Sequence, residues 1–438
     1  MSNPIASLAG VWAEPLTFLL MLLCFGILAV PARWPIGLAL IVAAAAGALA
    51  NGDYLPLRHL VEGAFSYLDP VLVIATAMIF MRALADGGAL GALGIAVEER
   101  FGRRPVLLLP VVMLIVMFPG MITGSSTASV VTTGAMAASI IGGLGLARER
   151  TAAIIAMGGI LGMVAPPVNI PAMIIGGGID LPYTGFDLPL ALAAFPLAMV
   201  FVYGLAWPVL SGPARDTRPG RPRMPEFLHR PQLTVLRALT APAAAGLLML
   251  APRLAPNRWP DLGLPLTFLL ATAICVAVLP KFALFSSMRK AVEESLPVLG
   301  ILCGVGAFIQ VMTLTGGRGW LVSLMTGAPA WAVYASAGVG IPLFGAVSAF
   351  GSASVLGVPF LLALLGRNEI VTTSALSLLA SLGDLMLPAA LAATLASQVA
   401  GVPNRLHVLR FCIIPALLTA AAAVAMLVFA PLVGRWLG

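Results

Sequence analysis

Two helix-breaking stretches sit inside an otherwise apolar run. The cluster Gly124-Ser125-Ser126-Thr127-Ala128-Ser129 is followed, after one apolar segment, by the breaker Ala165-Pro166-Pro167-Val168-Asn169-Ile170-Pro171. Hydrophobic residues make up 60% of the 438 and charged residues 9%, far below the roughly 25% of a soluble domain. The apolar segments are helix-length without period-two alternation, so a membrane β-barrel is excluded and an all-α polytopic membrane protein is expected. Lipid offers no partner to a freed backbone group. Breaks at membrane depth therefore survive only where they are buried in protein or line a cavity. Paired breaks of this kind are how carriers build a midplane binding site.

The net charge of +7 reflects arginines between apolar segments and points to membrane topology, not nucleic acid. Cys24, Cys275, Cys303 and Cys412 lie in apolar segments with no CxxC spacing and read as core residues. The three histidines are too scattered for a metal site.

The chain divides into two halves, 16–210 and 238–433, joined by a basic, proline-rich linker at 211–237 expected in the cytoplasm. Each half is read as about five crossings plus a re-entrant hairpin. The hairpins are placed at 105–147 and 328–365, and the broken helices at 151–178 and 370–400. The second hairpin tip is placed at Gly351-Ser352-Ala353-Ser354. Segments 89–104 and 282–296 are read as charged arms, with spans following each turn or proline. Matching pairs such as Asp69-Pro70 with Leu296-Pro297, and Gly124-Ser125 with Gly351-Ser352, recur at an offset of about 230 residues. An odd number of crossings per half makes this an inverted repeat. With the linker inside, 18 of the 24 Lys and Arg fall on the inner side and 6 on the outer, as the positive-inside rule requires.

A hairpin tip brings a helix C-terminus and a helix N-terminus to mid-bilayer. The N-terminal N–H groups suit a carboxylate and the C-terminal carbonyls a cation. Candidate substrate ligands are therefore Ser125, Ser126, Thr127 and Asn169, with Ser352 and Ser354 from the second tip. Candidate cation positions are Gly124, Ser125, Ala165, Pro166, Gly351 and Asp384, for Na⁺ or, at Asp384, H⁺. Asp384 is the only acidic residue deep in a proposed span; such a group costs about 3 kcal/mol or more in hydrocarbon and usually has a task. Arg82 and Asp86, one turn apart, are expected to pair with each other. An intramembrane aspartyl protease needs a second deep aspartate, and the first half has none, so no enzymatic activity is expected.

The Asp69-Pro70 and Asp86-Gly87-Gly88 turns, the Gly124–Ser129 tip with Gly134, and Leu161-Gly162-Met163-Val164-Ala165-Pro166-Pro167 together resemble the large membrane subunit of TRAP (tripartite ATP-independent periplasmic) transporters. That family lies within the ion-transporter superfamily. The second half departs from the pattern: its tip lacks an acidic residue and proline, and its break has one proline, Pro388, with Asp384. The resemblance implies elevator-type scaffold and transport domains and cation-coupled uptake of a small organic anion of the carboxylate type, with no cofactor beyond the coupling ion. It places the chain in the bacterial inner membrane, in membrane lipid, beside a small four-helix membrane subunit and a periplasmic substrate-binding protein. The alternative is a stand-alone carboxylate symporter of the same superfamily, needing no binding protein.

Overall fold

The computed structural model describes residues 13–211, 235–255, 257–280 and 282–437. Apart from its ends, the basic linker lies outside them. Every element named below is helical, and no β-strand occurs among the described residues. The first half comprises α1 (Ala13–Ala29), α2 (Ile36–Ala50), α3 (Leu57–Phe65), α4 (Leu68–Asp86), α5 (Ala89–Phe101), α6 (Pro105–Thr123), α7 (Ser126–Gly143), α8 (Arg148–Val164), α9 (Ile170–Gly177) and α10 (Asp187–Leu210). The second comprises α11 (Val235–Leu254), α12 (Gly263–Val278), α13 (Leu284–Leu314), α14 (Gly317–Thr326), α15 (Ala330–Phe344), α16 (Ala349–Ala363), α17 (Glu369–Ser381), α18 (Leu391–Val399) and α19 (Arg405–Leu437). Six of these, α4, α6, α10, α11, α13 and α19, are long and apolar enough to cross a bilayer. This is a polytopic membrane protein.

Packing concentrates around two helices. α13 lies against α2, α3 and α4, with α1, α11 and α12 completing that group. From Thr151 to Val164 α8 is buried between α6, α7, α10, α18 and α19, and α17 joins the group through α19 and α9. With no hydrophobic drive between helices in lipid, close backbone approach must supply the attraction. Gly63 on α3 and Gly306 on α13 meet main chain to main chain, and a Cβ on either would fall on the other's carbonyl.

Two boundaries differ from the sequence expectation. α13 runs unbroken through Pro297, so the charged arm expected at 282–296 and the span after it are one 31-residue helix. A proline deprives the carbonyl four residues back of its intrahelical donor. Here that carbonyl belongs to Glu293, whose side chain is half exposed. The second hairpin tip is not at Gly351–Ser354. α15 ends at Phe344, and the turn is Gly345–Ser348. Ser348 is the N-cap, accepting from Gly351 N at 3.1 Å. Gly351, Ser352 and Ser354 lie inside α16, where Ser352 and Ser354 donate to their own helix at Ala349 O (2.9 Å) and Gly351 O (2.8 Å).

Candidate functional site

α6 ends because Gly124 adopts a left-handed conformation (φ 63°), its N–H closing on Gly120 O at 2.7 Å. Ser125 then turns to extended geometry and caps α7, its Oγ accepting from Ala128 N at 3.3 Å and lying 2.9 Å from Thr127 Oγ1. A Cβ on Gly124 would collide with Ile170, the first residue of α9, so the glycine is needed both for its φ and for its closeness to the first break. Val168 N donates to Met121 O at 3.1 Å, tying the break to the tip.

Asn169 caps α9. Its Oδ1 accepts from Ala172 N (2.9 Å), and its Nδ2 donates to Val164 O (3.1 Å) and to Ser377 Oγ on α17 (2.8 Å). The amide is fully buried with both donors committed, so it joins the two broken helices and offers nothing to a solute. Ala165 is buried at the C-cap of α8, and Pro166 is half-buried beside it.

The second break carries Asp384 in a short 3₁₀ turn, Leu382–Leu385. Asp384 is buried, and Oδ2 accepts a hydrogen bond from Ser126 Oγ of the first tip. Ser126 is the first residue of α7, so the carboxylate sits at the positive end of that helix. The N-terminus expected to grip a solute carboxylate thus already holds one from the protein. The second tip packs on the same turn, Gly345 against the backbone of Gly383.

Sequence reasoning missed Arg405, the first residue of α19. Its guanidinium donates to Pro388 O (3.0 Å), Ala389 O (3.3 Å) and Thr394 Oγ1 (3.2 Å). Two carbonyls of the second break, Pro388 O and Ala389 O, are therefore held by a fixed positive side chain. Its position after Pro403-Asn404 made it look like one more basic residue of an inner loop.

A cavity of about 680 Å³ opens beside the first tip. One wall is the hairpin, with Thr123, Ser125, Thr127 and Thr132. The other is α4 and α13, with Met78, Met81, Arg82, Ser287, Lys290 and Glu294. Arg82 pairs with Asp86 (3.1 Å), as expected, and also with Glu294 across to α13 (2.7 Å), while Ser287 Oγ donates to Asp86 Oδ2 at 2.6 Å. Among the described residues Lys290 makes no ion pair. This second wall was hidden in the supposed arm, although Ser287, Lys290 and Glu294 keep the three- and four-residue spacing of one helix face. Gly351, Ser352 and Ser354 do not line the cavity. Among the described residues no three His, Cys, Asp or Glu side chains converge, so a bound Na⁺ would rest on Asp384, hydroxyls and main-chain carbonyls.

Residues 34–206, from α2 to near the end of α10, match the Na⁺/H⁺ antiporter family. No curated protein sequence matches the chain. Among solved structures, Neisseria gonorrhoeae MtrF, whose structure is said to illuminate a class of antimetabolite efflux pumps, aligns with 98% of this chain and 95% of its own. The TM-score is 0.58 and the identity 15%. The chain has the fold of a membrane transporter. The matched family segment holds the first tip and first break but not Asp384, and neither comparison names the TRAP large subunit.

Proposed function

We propose that this protein is a cation-coupled secondary carrier of a small organic anion in the bacterial inner membrane. The group around α8 slides as an elevator past the scaffold around α13. The observation that carries this reading is the hydrogen bond from Ser126 to Asp384. It joins the first tip to the second break at one buried carboxylate, beside a cavity walled by both groups of helices. A cation or proton at Asp384 competes with the Ser126 hydrogen bond and alters how the two breaks hold together. The hydroxyls of Ser125 and Thr127 together with Lys290 favour an anionic solute in the cavity.

Exchange of solute against Na⁺ or H⁺ is the preferred mode, favoured by the family match across the first half and by the efflux pump of the same fold. The order of the tip and break motifs supports a second reading, cation-driven uptake with a small membrane subunit and a periplasmic binding protein, or as a stand-alone symporter. Flux of labelled carboxylates by the purified protein in liposomes, under imposed Na⁺ or H⁺ gradients, separates them. Movement against the direction of cation flow, with no added protein, is the expected result. Co-directional movement would replace exchange by symport, of the TRAP type where it required a binding protein. No gradient-driven flux in either direction would remove the carrier reading.

A further inference from the structure

A second cavity, of about 740 Å³, lies between α5, α6 and α11, away from the tips and breaks. Val111, Leu114, Ile115 and Phe118 form a two-turn apolar stripe on α6, facing Leu239 of α11 across the gap. α11 packs on α5 and α12 but barely on α6, so the stripe has no protein partner there. α6 is long and apolar enough to span the bilayer, which puts the gap within reach of lipid acyl chains.

The end of the crevice is charged. Arg100 and Glu99 are in its wall, Arg103 and Arg104 follow between α5 and α6, and Arg237 stands two residues into α11. All four arginines are exposed, and among the described residues none is in an ion pair. Two glutamates oppose them, Glu98 and Glu99. Burial, with Glu99 beside it, raises the Glu98 carboxyl from its ordinary value. These arginines belong to the inner side of the topology. Basic pockets between membrane helices on that side suit anionic lipid headgroups.

We propose that this crevice is a binding site for an anionic phospholipid of the inner leaflet, with an acyl chain along the α6 stripe and the phosphate at Arg100, Arg103 and Arg104. The lipid would lie between a hairpin limb and a scaffold helix, where elevator motion would be felt.

The test is retention of lipid by the purified full-length protein after incubation with vesicles of phosphatidylglycerol or of phosphatidylcholine with matched chains, read by native mass spectrometry. The wild type is expected to retain phosphatidylglycerol several-fold more than phosphatidylcholine. R100Q/R103Q/R104Q should bring phosphatidylglycerol down to the phosphatidylcholine level with an unchanged size-exclusion profile. Leu239→Trp, which fills the crevice, should lower both. Equal retention of the two lipids by the wild type would overturn the proposal without any variant. So would a preference that survived the triple substitution. A photoreactive side chain at Leu114 should crosslink to lipid; a crosslink to residues 212–234 instead would identify the linker as the occupant and overturn it too.

Discussion

Ser126 places two things at one point: the first-turn N–H of α7 and a hydroxyl given to Asp384. A hydrogen bond to a charged group is worth roughly 1.5–3 kcal/mol, and each 1.4 kcal/mol is tenfold. Ser126→Ala should therefore change apparent cation affinity by roughly ten- to a hundredfold while leaving the protein folded, as read from flux against cation concentration. Asp384→Asn should remove gradient-driven flux altogether while leaving any passive exchange of solute. Gradient-driven flux at the wild-type rate in both variants would take the coupling site away from this pair. Arg405 acts differently, because it holds main-chain carbonyls. Arg405→Gln should cost roughly 1 kcal/mol by removing charge-assisted hydrogen bonds to exposed and half-buried acceptors, seen as a slightly lower thermal midpoint in detergent. Arg405→Lys should restore part of that loss but not all, since one ammonium cannot reproduce the planar fork.

The elements show why one half was easier to read than the other. At the first tip, glycine, cap and break all coincide with the residues that look polar: Gly124 turns, Ser125 caps, and Asn169 caps again. Tip and broken helix were legible because each needs a residue type that lipid-facing helices avoid. The second tip was misplaced because Gly351-Ser352 copies the first motif in sequence, while the turn is made by Gly345 and the cap by Ser348. Gly345 has an ordinary right-handed conformation (φ −61°). It is required by its contact with Gly383, a long-range fact that no local pattern announces. α13 hid for the opposite reason: Pro297 looked like a start, and tertiary packing carried the helix through it. A methyl group at the Gly345–Gly383 contact has nowhere to go, because main chain lies opposite. Gly383→Ala should destabilise by about 1–3 kcal/mol and disturb the adjacent Asp384. A thermal midpoint and cation dependence both equal to wild type would show that the contact yields freely.

Across the whole molecule, an arginine meets a main-chain carbonyl of a proline-containing helix in each half. Arg150, at the start of α8, donates to Leu205 O of α10 (3.1 Å) just before Pro208. Arg367, just before α17, donates to Leu427 O (3.2 Å) and Val428 O (3.3 Å) of α19, near Pro431. Pro431 cannot donate to Leu427 O, so an arginine does. The topology expected from the sequence would put Arg150 inside and Arg367 outside, as an inverted pair would be. If that topology holds, Arg82 and Lys290, which line the cavity, would lie toward the inner side. Two contacts run from the scaffold side to the end of α9: Tyr67 Oη donates to Ile174 O (3.2 Å), and Arg318 Nη2 to Gly178 O (2.6 Å). If the group around α8 slides as proposed, these contacts would favour the conformation seen here and would have to break. Losing a charged hydrogen bond of roughly 1.5–3 kcal/mol from one state alone shifts its population by about tenfold or more. In a cysteine-free background, Thr132→Cys should react with an impermeant maleimide from the cytoplasmic side. Adding Arg318→Ala should slow that reaction and raise outside labelling, whereas Arg58→Ala, whose exposed pair with Glu62 lies within one helix, should change neither. Equal labelling with and without Arg318 would mean that the latch does not set the balance between the two orientations.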